Sequence, residues 1–475
     1  GNLKGALTVE EGKLYLDATA FQAGNVTWTG GAGSKWDFGE TVNFTPAGGG
    51  DSRAFVPGDT VVFDDSALTT QVTVSGRVAP KRVVFNNAAK VYYLGGDSIV
   101  GSPSLEVRGA GKVNINNVNR FGDTEISNGK LYVKKLANNI GQDYGALGGT
   151  SSKISITNNA VLGVSDDITT TQAITVGEGG ATVEVASGKT LTMNTAIRQS
   201  GAGRVLTKTG AGALTLGSNN TVSKLVIRQG AVNAIIDGGY NQLPATVAFE
   251  GGTLYDSNTE GMPGNTNKAN FVVEEGQSGT IYCDPRCGYT GTLTGSGTLT
   301  VYAAGARNYF QGDWSAFEGT LVPGLSQRGT YGPSFDFSNG YGLPKATLKL
   351  NADVTFNNNG NNVTLGRVTG SGTLAGTGSY YLGDDNEDFI FSACSNSKLV
   401  KRGSGTMKIM TLGRINGAVE VKAGRLTFNQ SSLSTLVIGA NQLTVNGTGE
   451  VMGQGLLSSV TVGSGATLSP RALYS

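Results

Sequence analysis

Two or three apolar residues at alternating positions, followed by a glycine or asparagine turn, recur along most of the chain, as in residues 153–164, 181–193 and 459–468. A period of two places these apolar side chains on one face of a β-strand. The sequence contains no long segment with the helical period of 3.6 residues. We therefore predict an all-β chain of short strands and tight turns, with one face of each strand directed inward.

An eleven-residue phrase occurs three times, as LEVRGAGKVNI from Leu105, LTKTGAGALTL from Leu206 and LVKRGSGTMKI from Leu399. A second phrase, apolar-x-apolar-x-x-Gly-x-apolar, follows each copy. The offset between the glycines of the two phrases is 20 residues for Gly109–Gly129, 20 for Gly210–Gly230 and 21 for Gly403–Gly424. A fixed period of this size with strand-like alternation is typical of a solenoid. The sequence therefore predicts a β-solenoid, a stack of short β-strand turns, over residues 1–475 as one continuous domain.

Two kinds of segment depart from the repeat. Residues 17–100 contain Trp28 and Trp36 and a dense set of short strands, so we expect a capping or opening block at this end of the β-helix. A solenoid needs such caps because its terminal strands otherwise expose unpaired backbone. Residues 137–150, 255–270 and 303–340 do not follow the phrases, and we expect loop inserts there.

The first residues already fit the second phrase, since Leu7, Val9, Gly12 and Leu14 have its spacing. We therefore expect that the chain belongs to a longer precursor and that this phrase forms part of a turn of the solenoid. The isolated chain is expected to be a monomer.

Composition narrows the classes of partner. The chain has 36 basic and 35 acidic residues, a formal net charge of +1, and no basic run, which argues against a nucleic-acid partner. No apolar stretch approaches 18 residues, so we expect no membrane-spanning helix in this chain.

The cysteines leave two interpretations open. Cys283 and Cys287 bracket the sequence CDPRC, which suits a small structural disulfide across a bent turn or two reduced thiols in a loop. Cys394 is expected to be a small buried apolar residue. Two neighbouring cysteines without any histidine fall short of a tetrahedral zinc site, so we expect no metal and no cofactor.

The absence of histidine also excludes Ser-His-Asp and Cys-His catalysis. Carboxylates remain, and they are densest in GDDNEDF at Asp384, Asp385, Glu387 and Asp388. This segment suits a Ca²⁺ loop, an acid/base pair or a solvated acidic turn. Asp64 and Asp65 are expected to cap a turn through bonds to the backbone.

Aromatic residues cluster in the last predicted insert, and we select Trp314, Tyr309 and Phe310 as candidate ligand-binding residues. Amphipathic rings can stack on sugar faces. The alternative is a small hydrophobic core beneath the insert.

Several phrases together resemble the autotransporter-associated β-strand repeat family of Gram-negative surface proteins. The resemblance covers most of the chain and rests on LTKTGAGALTL, LVKRGSGTMKI, the segment from Trp28 to Gly30, GDTVVFD from Gly58 and GDWSAFEGTL from Gly312. The resemblance implies a right-handed parallel β-helix and a secreted or surface-exposed protein, since many members of the family are adhesins. The family's Asn-x-Tyr-Thr-Gly segment is only half matched, at Asn219–Val222.

The leading hypothesis is therefore a non-catalytic, secreted or cell-surface β-helical scaffold or adhesin that contacts glycans or host surfaces. Expected partners are a surface glycan or a host or other extracellular protein, and the expected location is extracellular or on the outer cell surface. The alternative is a carbohydrate-active β-helix enzyme, a polysaccharide lyase or glycoside hydrolase, that uses carboxylates or Lys/Arg. Glycan binding without turnover is a third hypothesis.

Overall fold

The structure is a computed structural model that describes residues 3–20, 22–138, 143–237, 240–257, 266–283, 288–303, 308–325, 334–410, 415–428, 443–453 and 460–470. It forms two compact units, Gly1–Leu225 and Val226–Ser475. The described residues contain strands and turns but no helix. Parallel strands stack turn upon turn, which confirms the predicted β-solenoid.

Most strands of the first unit fall into three rows, within which neighbouring strands are parallel except at the edge strand Phe44–Pro46. The nine-stranded sheet contains Asn25–Trp28, Phe44–Pro46, Thr60–Phe63, Arg82–Phe85, Ser104–Val107, Thr124–Ile126, Ile154–Ile156, Ile174–Val176 and Ile197–Gln199. The second row contains Lys35–Trp36, Gln71–Val74, Val91–Gly96, Lys112–Ile115, Lys130–Val133, Ala160–Val164, Ala181–Val185 and Val205–Thr209. The third row contains Ile168–Thr170, Thr190–Met193 and Ala213–Thr215.

Two antiparallel hairpins complete the first unit, Leu3–Glu10 with Lys13–Ala20 and Tyr144–Gly145 with Gly148–Gly149. In the first hairpin, Leu7, Val9 and Leu14 are 66%, 70% and 67% exposed. The sequence predicts a parallel turn of the solenoid here, and this prediction is wrong for the structure. The phrase that forms turns elsewhere pairs with itself here, because Val9 lies opposite Leu14 across the Glu11–Gly12 turn.

The register of neighbouring strands explains the alternating pattern. Leu105 pairs with Val83 on one side and with Thr124 on the other, while Val107 pairs with Phe85 and Ile126. Apart from Thr124, which is 1% exposed, these side chains are fully buried. Like residues thus stack in the interior, and each added turn buries the apolar face of the turn before it.

The recurrent glycines are required by the closeness of the turns. A Cβ atom on Gly109 would lie 2.0 Å from the carbonyl oxygen of Asn87, and one on Gly129 would lie 2.2 Å from the carbonyl oxygen of Gly109. Gly129 also has a φ of 68°, which favours glycine. Stacked turns at these positions therefore exclude any side chain, which explains the fixed place of glycine in both phrases.

The aromatic residues of the predicted opening block pack together. Trp28, Trp36, Phe44, Phe55 and Phe63 are fully buried, and Trp36 contacts the last three at centroid distances of 6.0, 5.5 and 5.6 Å. Phe44–Pro46 pairs antiparallel with Asn25–Trp28 and forms the edge of the nine-stranded sheet. Parallel stacking of this sheet therefore stops at an antiparallel strand.

The second unit is built in the same way, with the strand Lys224–Ile227 at the division point. Its longest row contains Ala231–Asp237, Thr253–Ser257, Ser278–Cys283, Thr298–Ala303, Thr320–Leu325, Leu343–Leu350, Val363–Gly370, Ser379–Leu382, Lys398–Lys401, Val419–Val421, Leu443–Val445 and Val460–Val462. A second row contains Thr246–Phe249, Asn270–Val272 and Leu293–Thr294. A third row contains Thr266–Asn267, Gly288–Tyr289, Asn308–Phe310, Ser334–Phe337, Thr355–Asn357, Thr373–Ala375 and Cys394–Ser395. A fourth row contains Phe389–Phe391, Thr406–Ile409, Arg425–Phe428, Glu450–Gly453 and Thr467–Pro470. Tyr240–Asn241 pairs antiparallel with Ala231–Asp237.

Two of the predicted inserts are partly turns of the solenoid. Asn308–Phe310 and Ser334–Phe337, within 303–340, pair in parallel with each other, and Thr266–Asn267, within 255–270, pairs in parallel with Gly288–Tyr289. In Asn308–Phe310 the outward Tyr309 and the inward Phe310 are both aromatic, which conceals the alternation of that strand. Among the described residues, no helix has the length and apolar character needed to cross a membrane.

Candidate functional site

A groove beside the hairpin Tyr144–Gly145/Gly148–Gly149 is a candidate site. The hairpin belongs to the predicted insert 137–150, of which residues 139–142 lie outside the described part of the chain. The cavity has a volume of about 470 Å³ and is lined by Ser102, Phe121, Gly122, Asp123, Asp143, Tyr144, Gly149, Thr150, Ser151 and Ser152. We call it the Tyr144 groove.

Buried amide side chains fix one wall of the groove. Asn119 is fully buried; its backbone amide donates to the carbonyl of Gly145 at 2.9 Å, and its side-chain amide donates to the carbonyl of Ala146 at 3.2 Å. Gln172 is also fully buried, and it accepts a bond from the amide of Ala137 at 3.0 Å and donates to the carbonyl of Leu147 at 3.1 Å. The hairpin is therefore held by one side chain from the part of the solenoid that precedes it in the chain and by one from the part that follows it.

Ser152 closes the base of the hairpin. Its hydroxyl donates to the carbonyl of Phe121 at 2.9 Å and accepts a bond from the amide of Gly149 at 3.2 Å. A Cβ atom on Gly148 would lie 2.2 Å from the same Phe121 carbonyl oxygen. The hairpin thus lies directly against the strand-end that carries Asp123.

Acidic and hydroxyl groups face the groove. Asp123 accepts a bond from the backbone amide of Lys153 at 3.0 Å, and Asp143 is exposed. The Tyr144 ring is 38% exposed, and the guanidinium of Arg120 lies 4.7 Å from its centroid. The groove therefore combines a partly covered aromatic ring with hydrogen-bonding groups.

A second cavity of about 330 Å³ shares Asp123 and extends over the nine-stranded sheet, along Glu106, Glu125 and Lys153. Glu106 and Glu125 lie opposite each other in adjacent strands. Glu106 forms ion pairs with both Arg82 and Arg108. Burial acts to raise the pKa of Glu106, but the hydrogen bonds from the two guanidinium groups outweigh it and lower the pKa overall.

The acidic segment 384–388 is divided among separate partners. Asp384 pairs with Arg402 at 2.7 Å, Asp385 pairs with Arg367 at 2.7 Å, and Asp388 accepts a bond from the amide of Thr406. Burial raises the pKa of Asp385 despite the neighbouring arginine. Within the described residues, no group of three or more acidic or cysteine side chains is arranged to hold a metal ion.

Two lysines that the sequence analysis did not identify are buried at equivalent positions of the repeat. Lys208 is fully buried, and its ammonium donates to the carbonyls of Thr209 at 2.7 Å and Gly210 at 2.8 Å. Lys401 is 1% exposed and donates to the carbonyls of Arg402 and of Gly403, the latter at 3.0 Å. Burial lowers the pKa of each lysine to about 8. The sequence does contain a signal for these buried lysines: in the aligned copies of the phrase, Lys208 and Lys401 occupy the inward position that Val107 has in the first copy.

The three selected aromatic residues differ in exposure. Phe310 and Trp314 are each 1% exposed and contact each other at 5.2 Å, and the indole of Trp314 donates to the carbonyl of Gly291 at 3.2 Å. Tyr309 is half-buried on the outward side of its strand. The two buried rings fit the alternative interpretation as core, and ligand binding by the set stays a prediction.

The predicted disulfide is only half described. Cys283 is fully buried at the end of Ser278–Cys283, whereas Cys287, with Asp284 and Arg286, lies outside the described residues. Cys394 is half-buried at the start of its strand, more exposed than expected. Asp65 accepts bonds from the amides of Ala88 and Lys90 at 2.8 and 2.9 Å, while Asp64 accepts one from Ser66 at 2.9 Å. Both carboxylates thus bind turn backbone.

Comparisons with known proteins give no information on the function of the chain. No family model, curated protein or solved structure matches the chain. The resemblance to autotransporter-associated repeats therefore stays a prediction from the sequence, and the chemistry of the described surface has to carry the functional argument.

Proposed function

We propose that the chain is a non-catalytic β-solenoid scaffold, secreted or displayed on the cell surface, that acts as an adhesin or as a spacer for other modules. The observation that carries the proposal is the pairing of charged side chains between neighbouring turns. Asp384 with Arg402 and Asp385 with Arg367 join residues 18 positions apart in the chain. Charged groups paired with one another in this way are not directed at a common reacting atom.

Further support comes from other ion pairs on the outer surface, in which acidic and basic side chains neutralise each other. Lys345–Glu318, Lys398–Glu420 and Arg425–Glu450 also connect neighbouring turns, at 2.9, 2.8 and 2.9 Å. The resemblance to surface proteins supports the location, and both the location and the adhesin role belong to the proposal.

A turnover screen tests the non-catalytic role. The purified chain is incubated with pectin, alginate and glycosaminoglycans, and release of reducing or unsaturated sugar is measured. We expect no release above that of the heat-denatured chain. Reproducible release would contradict the scaffold role. Antibody labelling of intact cells of the source organism tests the location, and labelling that requires permeabilised cells would count against surface display.

A carbohydrate-active enzyme is a second candidate because Glu106, Asp123 and Glu125 face one continuous surface with Lys153. A general acid in glycoside hydrolysis needs a raised pKa, however, and the pKa of Glu106 is lowered by its two arginines. If the screen detects turnover, Glu125→Gln should abolish it while Glu178→Gln, at an exposed glutamate outside this surface, should not.

A further inference from the structure

We propose that the Tyr144 groove binds a neutral oligosaccharide. This binding deepens the adhesin part of the proposed function, on which it rests, by naming a ligand class and a site; the spacer role needs no shaped groove. The inference rests on the fixed wall of the groove, the chemistry of its lining, its charge and its size.

The groove is formed before any ligand arrives. Two fully buried amide residues, Asn119 and Gln172, bind the backbone of the hairpin, and Thr170, also fully buried, donates to the carbonyl of Ala137 at 2.7 Å. Burial of polar side chains is favourable only when they are hydrogen-bonded, as they are here. A wall held in this way loses little conformational entropy on binding, which favours affinity for a flexible ligand.

The lining suits a polyhydroxylated ligand. The carboxylates of Asp123 and Asp143 are acceptors for sugar hydroxyls, and the hydroxyls of Thr150 and Ser151 can donate or accept. Tyr144 adds an amphipathic ring with an apolar body and a polar tip. Few apolar side chains line the cavity, which makes a purely hydrophobic ligand a poor fit.

The charge of the lining selects against anionic sugars. Asp123 and Asp143 are the charged residues that line the groove. In the adjoining cavity Glu106 is paired with Arg82 and Arg108, and Glu125 shares the lining with Lys153, so the excess of negative charge lies in the groove itself. Arg120 lies against the Tyr144 ring. Uronic acid or sulfated polymers would meet carboxylates at like charge, whereas neutral sugars pay no such penalty.

The size of the surface fits a short oligosaccharide. The groove of about 470 Å³ and the adjoining cavity of about 330 Å³ meet at Asp123. Each lies within the range of small-ligand sites, roughly 300–1,000 Å³. A ligand seated on Tyr144 can thus extend over Asp123 toward Glu125.

The test is binding of neutral cello-, xylo-, manno- and chito-oligosaccharides to the full chain, measured by saturation-transfer NMR and calorimetry, with oligogalacturonates as the anionic comparison. We expect at least one neutral series to bind. Tyr144→Ala should weaken that binding by about tenfold or more, equivalent to ~1.4 kcal/mol. The matched control is Tyr93→Ala, because Tyr93 is 41% exposed on the second row of the same unit, and it should leave affinity unchanged.

Asp143→Asn provides an independent variant, with Asp51→Asn as its exposed control. It should weaken binding of the neutral ligand without changing the circular dichroism spectrum or the unfolding temperature. The proposal is overturned if no neutral series binds, if only oligogalacturonates bind, or if Tyr144→Ala and Asp143→Asn both leave affinity unchanged. Each of these results leaves the scaffold role standing, since that role is tested by turnover.

Discussion

At the scale of the residue, buried lysines show how a polar side chain serves this interior. Lys208 and Lys401 each donate to two carbonyl oxygens of the glycine turn that follows them. Unpaired carbonyls at such a turn would be costly to bury, so the ammonium groups replace the backbone donors that a regular strand would supply. The cost is desolvation of a cation, which is why the pKa of each falls to about 8.

The lowered pKa values of Lys208 and Lys401 predict that the free energy of unfolding rises with pH above pH 8. The ordinary lysine pKa is 10.5, so between about pH 8 and pH 10.5 the unfolded chain binds more protons than the folded chain. Tyr92, Tyr132 and Tyr380 act in the opposite direction above about pH 10, because burial raises their pKa values. The urea midpoint should therefore increase from pH 8 to pH 10.

Each lysine should contribute about 1 kcal/mol per pH unit within that window. The double variant Lys208→Met/Lys401→Met should flatten the rise, whereas Lys13→Met/Lys81→Met, at exposed positions, should retain it. A wild-type midpoint that falls steadily from pH 8 to pH 10 would refute the assignment.

A second residue-scale feature is the contact of Tyr132 with a glycine of the next turn. The ring lies over Gly163, the hydroxyl donates to Glu184 at 3.0 Å, and the ammonium of Lys112 lies 3.9 Å from the ring centroid. A Cβ atom on Gly163 would be 2.2 Å from a ring carbon.

Gly163→Ala should therefore displace the ring and destabilise the chain by about 1–3 kcal/mol, the usual cost of overpacking. Thermal unfolding measures the change. Gly95→Ala is the control, because no heavy atom lies within 4 Å of its added Cβ. Adding Tyr132→Ala to Gly163→Ala should restore part of the loss, and an additive further loss would show that the clash is not with this ring.

At the scale of the element, the insert differs from the turns around it in how it is stabilised. The turns stack through backbone ladders and apolar side chains, whereas the hairpin at Tyr144–Gly149 depends on Asn119, Gln172 and Ser152. The sequence marked residues 137–150 as a break in the repeat. It did not indicate which distant amides would hold the break in place, because Gln172 follows it by a full turn.

Gln172→Ala should loosen the insert without unfolding the solenoid. It removes the partners of the Ala137 amide and the Leu147 carbonyl, and an unsatisfied buried group costs about 1–3 kcal/mol. Hydrogen exchange should accelerate at residues 143–152 while the strand Ala181–Val185 remains protected. Gln71→Ala, at an exposed strand position, should change neither region. Uniform acceleration across both regions would contradict a local role.

Repeated elements also explain which predictions succeeded. Copies with small residues at the turns, such as LTKTGAGALTL, were visible because glycine is required sterically at each turn. The strand Asn308–Phe310 was missed because its adjacent aromatic residues, Tyr309 and Phe310, conceal the alternation, whereas Ser334–Phe337 alternates regularly but lies outside the repeated phrases. In the structure the two strands form part of an interior stack, with Phe310 and Phe335 at a centroid distance of 4.1 Å.

At the scale of the whole molecule, stability comes from the interior of each unit and little of it from the surface. The ion pair Lys345–Glu318 joins side chains that are 58% and 57% exposed, and such pairs contribute little in water. The outer face can therefore vary without loss of the fold. Because outward-facing residues can vary, one turn can carry an insert and a groove while neighbouring turns have neither.

The sequence by itself determined the strand type, the period and the turn positions, because alternation and glycine spacing are local consequences of stacking identical turns. The tertiary structure alone decided which polar groups meet. Asn119 and Gln172 bind the insert, Asp123 and Tyr144 line one groove, and Lys208 binds its own glycine turn where neighbouring turns exclude water. Some of these contacts join residues that are a turn or more apart in the chain, and others depend on burial. The order of side chains along one strand predicts neither distant contacts nor burial by other turns.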